Sequence, residues 1–372
     1  MVVNVQQISN LITQLAPTKL AADWDNVGLQ VGSYNQEVKK VLVALDINQA
    51  IMNEALEKDI DLIVSHHPLI FGDLSAVRFD TATGQLIEQA IKNEIAIYSA
   101  HTNYDIASEG LNDLLAEKIG VENTSPLEVT AVKELKKIVV FVPHNALDKV
   151  RNALGKSGAG CLGDYSYCSF YQSGTGTFKP LTGSNPQQGK KGQINQVDEY
   201  RLETIVKQED LSKVVSKLKQ VHPYEEVAYD IYPVEDKGER LGLGRIGYLN
   251  DKISLKSYIE EIKTNLNLDN LQFVGSLDQQ IQKVAFCSGS GADFIKTAAS
   301  QGADLYITGD VKYHEAQLAE ELELNLIDAG HYGTEKIMRE GMTDYLQQRI
   351  TADNLKVEII KSQINTNPFQ VK

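Results

Sequence analysis

Two short runs constrain this chain more than any other feature. Asp61-Leu62-Ile63-Val64-Ser65 near one end and Asp304-Leu305-Tyr306-Ile307-Thr308 near the other are built alike, and each sits inside an alternation of apolar runs and helical periods. A run that is apolar at nearly every position reads as a strand covered on both faces, which belongs to a parallel sheet flanked by helices. Around the first run the pattern predicts a strand at 40–46, a helix at 48–58, the strand at 61–65, a helix at 84–93 and a strand at 95–100. Ahead of them, Val5, Ile8, Leu11, Ile12 and Leu15 recur at helical spacing until Pro17 stops them. Around the second run it predicts strands at 283–287, 304–308 and 325–329, with helices at 293–300, 314–323 and 333–348. Strand–helix–strand spacing of this kind demands crossover connections and parallel strands. The expectation is an α/β core in two halves, with mostly parallel sheets facing one shared site.

Between the halves the texture changes. The pattern predicts strands at 137–142, 200–206 and 228–232 and helices at 146–155 and 211–221. Residues 155–192 hold nine of the 27 glycines and read as loop or hairpin. At 372 residues the chain exceeds one small core, so an insertion is reasonable. The expected organisation is residues 1–127 as the first half of the core, 128–237 as an inserted α+β domain, and 238–372 as the second half.

The balance of 50 acidic against 36 basic residues gives a formal charge of −14, which argues against a broad basic face for nucleic acid. No run approaches the roughly 18 apolar residues of a membrane span, and the first twenty residues lack a basic leader followed by an apolar core. Three cysteines, Cys161, Cys168 and Cys287, are too few and too odd for a disulfide framework, which favours a reducing, cytoplasmic setting. Cys161 and Cys168 have no matching second pair and make a poor zinc site.

The histidines are placed where chemistry collects. In open α/β sheets, functional groups gather at the carboxyl ends of strands. His66 and His67 directly follow the strand at 61–65. His101 follows the strand at 95–100 and opens His101-Thr102-Asn103-Tyr104-Asp105. His331 follows the strand at 325–329, with Glu335 four residues on. Imidazole with carboxylate suits zinc, iron, manganese or nickel, and so many groups would supply two metals about 3.5–4 Å apart, with Glu335 as a bridge. A lone histidine is more often a capped or core residue; three strand ends converging on one edge reverse that preference. His314 also follows a strand, a turn further on, and is either a site residue or helix surface. His144 and His222 lie in the insert and read as structural or interfacial. Ser288-Gly289-Ser290-Gly291 offers backbone N–H groups to an anion or, equally, allows close packing.

Taken together, Trp24-Asp25-Asn26-Val27-Gly28-Leu29, Ser65-His66-His67-Pro68-Leu69-Ile70-Phe71, His101-Thr102-Asn103-Tyr104-Asp105, Thr308-Gly309-Asp310 with His314, and Gly330-His331-Tyr332-Gly333-Thr334-Glu335 resemble the GTP cyclohydrolase 1 type 2 homolog family, the NIF-three-like proteins. The middle segment, with His222-Pro223-Tyr224-Glu225-Glu226 and Asp230-Ile231-Tyr232-Pro233, resembles the PII- or CutA-like insert of longer bacterial members. The resemblance implies two divalent metal ions per subunit, held by His66, His67, Asp105, His331 and Glu335. It also implies a homo-oligomeric ring, usually a hexamer, with the metals facing an internal cavity.

Two functions are compatible with these residues. One is a metal-dependent hydrolase of a nucleotide-like or related small substrate, with His101 or His314 carrying the proton, since imidazole titrates near neutrality. The other is a metal-binding regulatory or scaffold protein whose PII-like insert senses a ligand.

Overall fold

The computed structural model describes residues 2–235 and 238–370, and the chain divides into two compact units, Met1–Ala131 with Leu241–Lys372, and Val132–Arg240. Lys237, the expected end of the insert, lies outside the described residues.

The larger unit holds two sheets. The first runs Gly28–Val31, Ala96–Ser99, Leu62–Ser65, Lys40–Ala44 and Glu358–Lys361, in that order. Three of its four ladders are parallel, and only Gly28–Val31 pairs antiparallel. The pleat explains why these strands are apolar throughout. Val41, Val43, Leu62, Val64, Ala96 and Tyr98 face one core, whereas Leu42, Ala44, Ile63 and Ile97 face another with Ile51, Met52, Leu86 and Ile87 from helices Gln49–Glu57 and Ala82–Lys92. The closing strand Glu358–Lys361 has no counterpart in the sequence pattern: the far end of the chain completes the sheet begun by the first half.

The second sheet runs Gln272–Val274, Asn325–Asp328, Leu305–Gly309, Gln280–Ser290, Arg240–Ser254 and Glu122–Val132. Here the expectation of a mostly parallel sheet needs correction. Only Gln280–Ser290, Leu305–Gly309 and Asn325–Asp328 run parallel, with antiparallel strands joined on either side. Antiparallel neighbours need no crossover helix, so the strand–helix alternation does not reveal them. Val284, Phe286, Leu305, Ile307 and Ile327 join the same core as the first sheet's inner face, together with helices Val5–Leu15, Leu111–Ile119, Leu255–Asn265 and Met338–Ala352. That shared core brings the carboxyl ends of both parallel sets within one unit.

The smaller unit is strand–helix–strand–strand–helix–strand. Its sheet order is Ser169–Phe178, Asn195–Lys207, Leu135–Pro143 and Tyr229–Pro233, with every ladder antiparallel. This is the split βαβ arrangement. Helices Leu147–Lys156 and Leu211–Val221 pack on one face through Val150, Leu154, Val214 and Leu218 against Ile138, Val140, Val142 and Leu202. The glycine-rich stretch contains the edge strand Ser169–Phe178, hairpin-paired with Asn195–Lys207. Among the described residues no helix is long and apolar enough to cross a membrane.

Candidate metal centre

Each contributing histidine stands at a strand's carboxyl end. Ser65 ends the strand that delivers His66 and His67; their N–H groups still continue the ladder, donating to Ala44 and Leu45 carbonyls at 3.3 and 2.9 Å. His101 precedes the short helix Thr102–Ile106, which carries Asp105. Gly330, at φ +78°, turns the chain after Asn325–Asp328 into the five-residue helix His331–Glu335. The expected helix from 333 to 348 is therefore two helices. His331 opens the first and Glu335 closes it, so an i, i+4 pair shares one face, and Met338–Ala352 follows separately.

The rings are fixed from outside. His66 Nδ1 is 2.9 Å from the Ala100 carbonyl, His67 Nδ1 2.7 Å from Asp46, His101 Nδ1 2.9 Å from Asp25, and His331 Nδ1 2.7 Å from Asp310. With an acceptor at each Nδ1, the network assigns the proton there and leaves every Nε2 a lone pair. His67 and His331 Nε2 lie 3.3 Å apart, and each is 3.0 Å from Glu335 Oε2. On the other oxygen of that carboxylate, His66 Nε2 is 3.7 Å from Oε1 and 3.6 Å from Asp105 Oδ1. His101 offers its ring to the group formed by His66 and His67, with ring centroids 5.0 and 5.5 Å away.

Lone pairs and carboxylate oxygens this close repel unless a cation lies among them. His66 Nε2, Asp105 Oδ1 and Glu335 Oε2 are buried without hydrogen-bond partners, and buried polar atoms left so are costly and rare. Metal ions on the two sides of the Glu335 carboxylate would satisfy all three. In a tetrahedral site with metal–nitrogen bonds of about 2.0–2.1 Å, ligand atoms lie about 3.3–3.4 Å apart, close to the spacings observed.

The electrostatics point the same way. Burial opposes charge on His67, but Asp46 and Glu335 outweigh it and hold its pKa at about 10. Burial likewise opposes charge on His331, yet Glu335 and Asp310 raise it to about 9. His66 is raised by Asp105 and Glu335 in spite of complete burial. Burial pushes Asp105 up, while the surrounding imidazoles hold Glu335 well below the carboxylate range. Asp25, although desolvated, is brought to about 2 by His101 and Thr102. The cluster is a well for positive charge, filled by protons or by a metal.

Glycine makes room for it. At Gly289, φ +64°, a Cβ would lie 2.2 Å from Glu335 Oε1 and 3.3 Å from His331 Nε2. The N–H groups of Ser288, Gly289 and Gly291 already donate to Asn112, Thr334 and Thr308 side chains. Of the two readings of this turn, close packing is the one observed; those N–H groups are not available to an anion.

Of the residues read from sequence, His66, His67, His101, Asp105, His331 and Glu335 come together. His314 does not: it lies exposed in the first turn of Tyr313–Glu321, with Nδ1 3.0 Å from Gln317 Oε1. Asp310 takes the place a strand-end residue would fill there, and the helix carries His314 outward. His222 is buried, its Nε2 3.0 Å from the Phe141 carbonyl, and His144 stacks on Tyr200. Missed from sequence were Asp25, Asp46 and Asp310. Asp46 and Asp310 follow strands just as the histidines do, so the same strand-end rule reaches them. Thr366 donates to Asp46, tying the C-terminal segment to the ring it orients.

The model of the Duf34/NIF3 (NGG1p interacting factor 3) family matches residues 3–368. A GTP cyclohydrolase 1 type 2 homolog of Halalkalibacterium halodurans is 43% identical over 368 residues, 99% of each chain. Its Bacillus subtilis counterpart is 44% identical over 367 residues, 99% of this chain and 98% of that one. A solved Bacillus cereus protein related to NIF3 is 45% identical, covers 100% of both chains and superposes with a TM-score of 0.93. A solved Staphylococcus aureus protein gives 31% identity and a TM-score of 0.78 over 100% of this chain and 99% of that one. With matches that run nearly from end to end and include the segments that build the cluster, the chain belongs to the Duf34/NIF3 family.

Proposed function

We propose that this cluster holds two divalent ions of the zinc, iron or manganese type, and that the protein is a metal-dependent hydrolase of a nucleotide-like or related small substrate. One observation carries the reading: three imidazoles, each pinned at Nδ1, gather around the two sides of a single buried carboxylate, and a fourth pinned imidazole, His101, stands beside His66 and His67. His67, His331 and Glu335 Oε2 would hold one ion. His66, Asp105 and Glu335 Oε1 would hold the other, with His101 beside them. A divalent ion so placed lowers the pKa of water and polarises a substrate oxygen.

The rest falls to the chain's own groups. Asp25 accepts from His101 Nδ1 and from the backbone and hydroxyl of Thr102, which fixes that ring and keeps Nε2 free to take up or release a proton. We assign the proton-carrying role to His101, which stands at the cluster, rather than to His314, which lies away from it. Asp46 and Asp310 orient His67 and His331. The relatives' name puts a purine nucleotide first among substrates to try. The split βαβ unit supports an inserted PII/CutA-like module, and a homo-oligomeric ring, hexameric by resemblance, is part of the same proposal.

Metal analysis of the purified protein, then a hydrolysis screen across nucleotides and related heterocycles with and without added metal, tests this reading. Two metals per chain and metal-dependent turnover are expected. Failure to retain metal after reconstitution would remove the site. Retained metal without turnover would leave the regulatory or scaffold function.

A further inference from the structure

Beside the cluster stand two large aromatic side chains that the fold leaves in water. Trp24 is 62% exposed and Phe71 67% exposed. Their ring centroids are 5.8 Å apart at 42°, and both rings approach His101, Trp24 at 6.0 Å and Phe71 at 6.4 Å. Exposed aromatics are often incidental, but these two are held. Trp24 precedes Asp25, the residue that fixes His101. Phe71 follows Ile70, whose carbonyl accepts from Asn26 Nδ2 at 2.7 Å and whose N–H donates to Gln30 Oε1 at 3.0 Å. The two loops are thus laced to each other and to the proton-carrying imidazole, so the backbone that carries both rings is tied to the cluster.

We propose that Trp24 and Phe71 form a stacking rim for a planar heteroaromatic ring, and so select substrates that carry one. The proposal rests on the metal-dependent reading of the cluster and names its substrate class. At 5.8 Å and tilted, the rings are too close to sandwich a third ring, so the ligand stacks on their open faces. Stacking on such a rim places a ring substituent or ring bond toward His101 and the cluster beyond it. Aromatic stacking suits this position because every heteroaromatic base offers a π-face, while the acidic surface disfavours recognition by surface charge.

Trp24 is the chain's only tryptophan, so its fluorescence reports on the rim directly. Metal-loaded protein is titrated with guanosine and, in parallel, with ribose 5-phosphate, which lacks the ring. Saturable quenching by guanosine and none by ribose 5-phosphate is expected. Phe71→Ala should weaken the guanosine titration at least about fivefold, the low end of what one stacked base contributes. Ile91→Ala, an equally exposed apolar residue on helix Ala82–Lys92, should leave it unchanged. Metal content, measured on the same samples, separates the two claims. Metal retained with no saturable guanosine signal overturns the rim and spares the metal site. Equal quenching in Phe71→Ala also overturns it. So does a change of oligomeric mass in Phe71→Ala by light scattering with the titration intact, because the rim would then be a subunit contact.

Discussion

Replacing Asp310 or Asp46 by asparagine isolates the electrostatic part of the site. In Asp310→Asn the side-chain carbonyl can still accept from His331 Nδ1, now 2.7 Å from the carboxylate, so the ring keeps its orientation. What is lost is one negative charge on the far side of an imidazole, on the order of 6 Å from a divalent ion bound at Nε2. With an effective dielectric of about 40–80 for a half-exposed group, that charge is worth about 1.4–2.8 kcal/mol, or tenfold to a hundredfold in affinity. The range agrees with the usual effect of removing a histidine's outer partner, about 10–100-fold. Protons compete, however, because the same carboxylate helps hold His331 at about 9, and Asp46 helps hold His67 at about 10. A proton carries half the charge of the metal, so near pH 7.5 about half the loss is returned, leaving roughly three- to tenfold. Above pH 10 the imidazoles are unprotonated and the full loss appears. Chelator-buffered zinc titrations of Asp310→Asn and Asp46→Asn at both pH values check this. Dissociation constants equal to wild type at both pH values would refute the argument that these carboxylates tune the site.

Other predictions come from the same structure. Gly289→Ala drives a Cβ into Glu335 and should lower zinc affinity at least about tenfold, read by the same titration, while circular dichroism stays native. Arg245, buried, pairs with both oxygens of Asp113 and donates to the carbonyls of Ala107, Gly242 and Gly244. Arg245→Met should cost about 3–5 kcal/mol in urea unfolding, with metal stoichiometry of the folded protein unchanged. In metal-free protein, His67 and His331 bind protons more tightly folded than unfolded. Their stabilisation is complete below about pH 6.5 and is lost as pH rises through about 9 and 10, so the apo melting temperature should fall across that interval. Zinc-loaded protein should show little of this fall, since the ion replaces the protons.

How much of this was readable in advance divides along a physical line. Burial patterns are local: Leu62-Ile63-Val64 and Leu305-Tyr306-Ile307 announce covered strands because each residue meets a packed face, whichever partner supplies it. The rule that chemistry gathers at strand ends then locates His66, His67, His101 and His331 without knowledge of the partners. The same rule reaches Asp46 and Asp310, which also follow strands. The rule does not separate His314 from these residues, because His314 shares the spacing but sits exposed on the helix that follows.

Other features had no local signal. Glu358–Lys361 is four residues long, and pairing with Lys40–Ala44, far back in the chain, makes it a strand. The break between His331–Glu335 and Met338–Ala352 carries no proline to mark it. The sequence by itself determined the type of residue at each strand end, because type and burial period are set within a few residues. Only the tertiary structure decided that Glu335 turns one oxygen to His67 and His331 and the other to His66, because that geometry depends on backbones hundreds of residues apart packing on one core.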